Sequence, residues 1–368
     1  MDPLLALCDG LTDELAPQAA AIEAARRVPP ALMRRLAALG LFRRALPRTC
    51  GGDGDGPRGV LEALRLLARA DSSVGWCAMI STTAAAFAAY MDPETARRLF
   101  VADPEALAAG VFAPRGRAVA VDGGYSLTGR WEFASHCENV DWIGLGGLVA
   151  ADGGPAFRLF FVPTAAIEVA PRWDVLGLRG TGSHDVGVDE VHVPEALAVP
   201  LTDVAAPTLP FFGWLALCVA AVALGVAEAA LTAFTTGARR APASGKPLTA
   251  RPSTQQALAA AIGRHAAARV YLLDEAERAW AAAQRGEPLD LTTRARLRLA
   301  ACDAVGHAVA VVDAAYHELG GASIRDGDAV QRRFRDIHTM TQHLMVGPAA
   351  RDMAARVLAG VPVDTSTL

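Results

Sequence analysis

Few side chains in this sequence combine reactive chemistry with informative spacing. In GRWEFASHCENVDW (Gly129–Trp142), Phe133, Ala134 and Ser135 follow one another in an alternating stretch. Strand geometry sends Phe133 and Ser135 to one face and Ala134 to the other, so an aromatic ring and a hydroxyl share a surface. An ordinary β-core with a surface serine gives the same pattern. Near the other end, RDIHTMTQH (Arg335–His343) carries His338 and His343. An imidazole titrates near neutral pH and suits proton donation or hydrogen bonding to an oxygen. Read on one helix, positions 338 and 343 point roughly 140° from each other, so the two do not reach one site. Nor does their spacing suit a metal, which favours ligands at i and i+4. A structural histidine is the competing reading for either.

Other features exclude familiar chemistries. The sole lysine, Lys246, lies in the polar stretch APASGKPLT, which argues against a Schiff-base mechanism. Cys8, Cys50, Cys77, Cys137, Cys218 and Cys302 form no CxxC pair and read as reduced thiols of a cytoplasmic protein. GGDGDG lacks the strand–GxGxxG–helix context of a dinucleotide site. Ser183, His184 and Asp185 are contiguous, so their side chains alternate and cannot converge as a triad. A net charge of −4 leaves no electrostatic footprint for nucleic acid. The N-terminal MDPLLALCDGLTDEL has no basic region of the kind a secretory signal carries. Phe211–Val226 is apolar and nearly long enough to span a membrane. Its small residues, and its continuation into the amphipathic AEAALTAFTTGARR, mark it as a buried core helix instead.

The elements that must position these residues fall into three blocks. Of the 368 residues 52% are hydrophobic, enough for two or three packed subdomains. Three- and four-residue apolar spacing predicts helices over Leu4–Arg27, Pro30–Leu41, Val60–Ala70 and Val74–Tyr90, with a short one after Asp92. Alternation then predicts strands at Gly110–Ala113, Ala118–Val121, Tyr125–Ser135, Trp142–Val149, Arg158–Val162 and Val186–Val193, with hairpin turns at Asp122–Gly124 and Ala151–Gly154. Four long helices follow, at about 211–238, 253–285, 290–320 and 329–359. The expected class is α+β: an N-terminal helical domain (1–106), a middle antiparallel β-domain (107–205) and a C-terminal four-helix bundle (206–368).

That order resembles the acyl-CoA dehydrogenase superfamily, and local sequence agrees at separated places. LAALGLFRRALPRTCGGDG (Leu36–Gly54), GRWEFASHCENVDW, LGLRGTGSHDVGVDEVHVP (Leu176–Pro194) and RRFRDIHTM (Arg332–Met340) each look like a signature of that family, in order across the chain. The resemblance implies a middle β-barrel or sandwich and a bound flavin. Phe133, Ala134 and Ser135 are then the flavin-facing strand, with Arg251, Ser253 and Gln256 placed to meet a flavin phosphate.

Within the family, a dehydrogenase takes an α-proton with a carboxylate. Counting back from Arg335-Asp336, that position falls on Gly327, flanked by Asp326 and Asp328; Glu228 is the other candidate. GVFAPRGRAVAVDGGYSLTGRWEFAS, LGLRGTGSHDV and RDIHTMTQH instead resemble the two-component flavin-dependent monooxygenases. These take reduced flavin (FMN or FAD) from a separate NAD(P)H reductase and form a C4a-hydroperoxide with O2. The resemblance gives catalytic roles to Ser135 and His343 and a substrate pocket to Trp76, Met79, Phe212 and Trp214. It also implies a homotetramer, and a small aromatic, polycyclic or carrier-bound substrate to be hydroxylated or N-oxidised. The branch often has Gly where His136 stands, and some members have His where Ala84 stands. An FAD-dependent dehydrogenase or oxidase with a relocated base, and a non-catalytic flavin-binding scaffold, are the alternatives.

Overall fold

The computed structural model describes residues 2–150, 154–201, 208–240 and 245–368. The N-terminal block holds α1 (Pro3–Leu15), α2 (Ala19–Ala25), α3 (Pro30–Ala38), α4 (Pro57–Ala70), α5 (Ser72–Ala85) and α6 (Pro93–Phe100). Asp71 starts α5 by accepting from the backbone N–H groups of Ser73 (2.9 Å) and Val74 (3.1 Å). Every residue of α5 is buried, so this helix runs through the middle of the molecule.

Seven strands follow: β1 (Ala108–Val121), β2 (Gly124–Ala134), β3 (Trp142–Val149), β4 (Ala156–Pro163), β5 (Glu168–Ala170), β6 (His184–Pro194) and β7 (Ala198–Pro200). They form one sheet in the order β5-β6-β2-β1-β3-β4-β7. The two strands expected at Gly110–Ala113 and Ala118–Val121 are one long strand with a register shift between Val111 and Gly116. The sheet is mixed rather than antiparallel, because β1 and β3 pair in parallel. After β2, the turn at 135–141 carries the chain across the sheet end, so β3 enters beside the free edge of β1 in the same direction. Strands β5 and β7, three residues each, are too short to show alternation in sequence. The turn expected at Ala151–Gly154 and the boundary expected at 205/206 lie outside the described residues, Gly154 excepted.

The C-terminal block holds α7 (Phe211–Arg239), α8 (Pro252–Gln284), α9 (Leu291–Leu319), α10 (Ala329–Met340) and α11 (Pro348–Leu358). The expected fourth helix is thus two helices. Helix α10 ends at Met340 and turns run on to Gly347; Pro348, which lacks an N–H and keeps its predecessor out of helical geometry, opens α11 at its first position.

Among the described residues, Ser72–Tyr90, Phe211–Arg239 and Leu291–Ile324 are long and apolar enough to cross a membrane. In the fold the first two face protein, with 89% and 78% of their apolar windows buried inside, and the third is half buried at 50%. Close packing there depends on Gly225, where a Cβ would lie 2.1 Å from the Arg65 carbonyl oxygen of α4. Gly225→Ala is therefore expected to push α7 off α4 and cost about 1–3 kcal/mol. Gly10→Ala, in open space on α1, should be neutral or stabilising. Denaturant midpoints of the two variants check this; equal midpoints would contradict it.

Candidate active site

The indole of Trp76, on α5, joins the two residues expected to act. Its Nε1–H donates to Ser135 Oγ at 3.1 Å, and its ring meets the His343 imidazole edge-on with centroids 5.5 Å apart. Ser135 is in turn 2.7 Å from Ser183 Oγ, and Ser183 is 2.6 Å from Thr181 Oγ1, which donates to the Leu178 carbonyl at 2.9 Å. Each hydroxyl has one proton. With the Thr181 proton on Leu178, the Ser183 proton goes to Thr181 and the Ser135 proton to Ser183. Ser135 also accepts from Trp76, and its remaining lone pair can accept one more donor.

Helix α10 holds this loop in place. Asp336 accepts from Leu178 N–H at 2.7 Å, and Arg335 donates to the Leu176 carbonyl and to both oxygens of Glu23 on α2. Contact is so close that a Cβ on Gly177 would lie 2.2 Å from the Arg335 carbonyl oxygen.

Phe133 and Ser135 do not share a surface. The chain leaves regular alternation in the irregularity between Trp131 and Ala134, and Phe133 takes a left-handed backbone with φ 64°. Its ring is 67% exposed and meets the edge of Trp173, while Ala134 and Ser135 are buried. Leu176, from the loop that follows Trp173, is 58% exposed. Phe133 and Leu176 are thus two large apolar side chains left open to solvent on the segments that flank the buried Ser135 and Thr181. His136 also has positive φ (67°), so it keeps the backbone that glycine would supply at this position.

His343 is not on the last helix, so the helical angle to His338 does not apply. It sits in the turn between α10 and α11, half-buried, and its Nδ1 accepts from Met345 N–H at 3.3 Å. The neutral ring then carries its proton on Nε2. Burial, with a smaller push from the Arg298 guanidinium, lowers this imidazole to about 4. The group is therefore a neutral N–H donor at physiological pH, not an acid poised near 7. His338 is occupied elsewhere, 2.9 Å from Asp313.

Of the other expected site residues, Met79 is fully buried on α5 beyond Trp76, and Ala84 is buried on the same helix. Phe212 and Trp214 diverge. Phe212 is half-buried with its carbonyl near Arg298, whereas Trp214 lines a narrow cleft with Tyr90, Phe211 and Trp280. Arg251, Ser253 and Gln256 are exposed at the start of α8, and no hydrogen bond among the described residues ties them to Ser135, Trp76 or His343. Of the candidate dehydrogenase bases, Asp326 is exposed to solvent and the other two carboxylates are committed to other contacts. Glu228 is ion-paired with Arg65 and Arg69, and Asp328 caps α10 through the N–H groups of Val330 and Gln331. Ser183 and His184 form no triad, since His184 accepts from Trp173 N–H and faces Glu138.

Two profiles of one family match the chain: Acyl-CoA dehydrogenase, N-terminal domain, over residues 7–100, and Acyl-CoA dehydrogenase, C-terminal domain, over residues 217–348. The oxygenase subunit HsaA of a flavin-dependent monooxygenase from Mycobacterium tuberculosis is 30% identical, over 94% of this chain and 92% of its own. The oxygenase component of an FADH(2)-dependent resorcinol hydroxylase from Rhizobium sp. is 29% identical, over 91% of this chain and 88% of its own. A solved 3-HSA hydroxylase from Rhodococcus sp. RHA1 matches with a TM-score of 0.89 at 28% identity, covering 98% of each chain. The architecture is that of an acyl-CoA dehydrogenase-fold enzyme. The chain belongs to the acyl-CoA dehydrogenase superfamily, in its flavin-dependent monooxygenase branch. It is an oxidoreductase, a monooxygenase rather than a dehydrogenase, and uses reduced flavin and dioxygen.

The buried imidazoles make stability pH-dependent. His136, lowered to about 3 by desolvation and by Arg27 and Arg34, and His343, at about 4, both fold neutral. An unfolded histidine protonates near 6.5, so between about 6.5 and 4 the unfolded chain binds more protons and stability falls as pH falls. Melting temperature is expected to drop across that window, and His136→Asn should flatten the drop. A profile unchanged by that substitution would contradict the assignment.

Proposed function

We propose that this chain is the oxygenase component of a two-component system that hydroxylates or N-oxidises a small organic substrate, an aromatic one foremost. The convergence of Ser135, Trp76 and His343 supports this reading more than any other single observation. When bound, reduced flavin, as FMN or FAD, supplies the electrons that activate dioxygen. Ser135 offers its free lone pair to an N–H on the ring edge, and Ser183 and Thr181 fix the direction of that hydroxyl. His343 offers its Nε2–H to an oxygen held between the ring and Trp76. The Trp76 indole and the buried Met79 exclude water from that point, which strengthens each of these hydrogen bonds. A separate NAD(P)H flavin reductase supplies the reduced flavin, as the relatives' "oxygenase subunit" and "oxygenase component" imply. Six buried, unpaired cysteines suit a cytoplasmic enzyme.

The test mixes protein, loaded anaerobically with reduced FMN or FAD, with oxygenated buffer in a stopped-flow spectrometer. We expect a transient spectrum distinct from both reduced and oxidised flavin. Ser135→Ala and His343→Ala should shorten its lifetime at least about tenfold, roughly the effect of losing one positioned donor or acceptor. Reoxidation at the rate of free flavin in the unaltered protein would sink the reading.

We further propose a homotetramer in which a second copy covers α8. Midway along that helix the exposed residues are mostly apolar: Ala259, Ala260, Ile262, Ala266, Ala267 and Val270 face outward, with Arg264 among them and Val270 67% exposed. Arg251, Ser253 and Gln256, on its exposed N-terminal turn, would then meet the flavin phosphate of a neighbouring copy, an anion suited to a helix start. Val270→Asp should dissociate the assembly and weaken flavin binding, as light scattering and flavin titration would show. A variant still tetrameric would refute this surface.

A further inference from the structure

Two arginines are almost fully buried, and the fold treats them differently. Arg333 donates to the carbonyls of Ala68, Arg69 and Ala70 and to Ser72 Oγ, closing the C-terminal end of α4, with Asp71 and Asp336 nearby to favour its charge. Arg298, on α9 and 1% exposed, has much less. One Nη donates to the carbonyls of Phe212 (3.5 Å) and Thr367 (2.5 Å), and its Nε is buried without a partner. Among the described residues no carboxylate pairs with it. Burial pulls its pKa down, and only the Cys302 thiol acts the other way. A buried guanidinium in this state lacks an anion.

Its position says which anion. One helical turn further along α9, Cys302 Sγ lies 4.0 Å from the Met345 carbonyl, two residues past His343. Arg298 also reaches the first turn of α7 at Phe212, whose ring is only half-buried. The unpaired charge therefore lies between the His343 turn and the segment expected to wall the substrate. We propose that Arg298 holds an anionic oxygen of the substrate, an ionised hydroxyl or carboxylate on an aromatic ring. For an ionised hydroxyl the benefit is chemical as well as positional. The oxyanion raises electron density at the neighbouring ring carbons, which favours attack on an electrophilic oxygen. This rests on the monooxygenase reading only for that last step; the anion site itself does not depend on it.

Equilibrium dialysis of the FMN-loaded protein tests it with two matched pairs: 2-naphthol against 2-methoxynaphthalene, and 2-naphthoate against methyl 2-naphthoate. We expect at least one acid to bind about tenfold more tightly than its methylated partner. Arg298→Met should reduce that ratio to within about twofold with flavin binding intact, and Arg298→Lys should keep part of it. Preference confined to the naphthol pair assigns an ionised hydroxyl, and preference confined to the naphthoate pair a carboxylate. Equal binding of acids and methylated partners by the unaltered protein overturns the proposal, as does an Arg298→Met protein that retains the preference. If Arg298→Met does not fold, the Arg298→Lys ratio decides, and a ratio unchanged from that of the unaltered protein overturns it. No oxygen or reduced flavin is present, so a failed oxygen reaction and a failed anion site remain separate results.

Discussion

Trp76 donates its indole N–H to Ser135 across the junction between the N-terminal helices and the sheet, and its ring edge receives His343 from the C-terminal block. Three parts of the chain, separated by long stretches of sequence, are fixed relative to one another at this side chain. Its own position is set by α5, which is buried on every residue and so has no rotational freedom once packed. A neighbour on either side of that helix that moved would break a buried hydrogen bond or open a void, and both are costly in a dry interior. The order of helices, sheet and helices thus matters for chemistry because it brings one residue from each block to one indole.

A second line of contacts keeps that arrangement rigid from behind. Arg335 and Asp336 clamp the loop at 176–178, and the same loop supplies the carbonyl that ends the Ser135–Ser183–Thr181 chain of hydroxyls. The helix leading into the His343 turn therefore also orients the hydroxyl opposite it. Burial of Asp336 raises its pKa, yet the backbone N–H of Leu178 and the nearby Arg333 favour its charged form. Such a carboxylate, fully buried against the loop it holds, serves position.

Much of the plan was legible in sequence, because long apolar periodicities survive tertiary packing. The helices from α4 to α9, β3 and the Asp122–Gly124 hairpin follow the patterns closely. What was not legible has local causes. Alternation assumes extended backbone, and Phe133 violates it with a left-handed turn that no neighbouring glycine or proline announces. Gly347-Pro348 did announce a break, but the amphipathic pattern on both sides of it reads as one helix, which misplaced His343 on a helical face. Ser135 and His343 were singled out through resemblance to a family pattern, whereas the contacts of Thr181, Ser183 and Arg298 needed coordinates. The hydroxyl-rich GTGS loop was visible as a motif. Its direction of hydrogen bonding depends on contacts between β2, the loop before β6 and α5.

Electrostatics separates this site from a dehydrogenase built on the same fold. Removing a proton from carbon requires a carboxylate with a free lone pair beside the substrate. Here Glu228 is held by Arg65 and Arg69, Asp328 by two backbone N–H groups, and Gly327 stands where the counted position falls. The groups that do converge are neutral donors and acceptors: an indole N–H, a serine oxygen, and an imidazole kept uncharged by its surroundings. Such a set cannot supply a strong base, but it can hold an uncharged oxygen species and shield it from water and stray protons. Burial disfavours the charged form of His343, and the Arg298 cation adds to that effect.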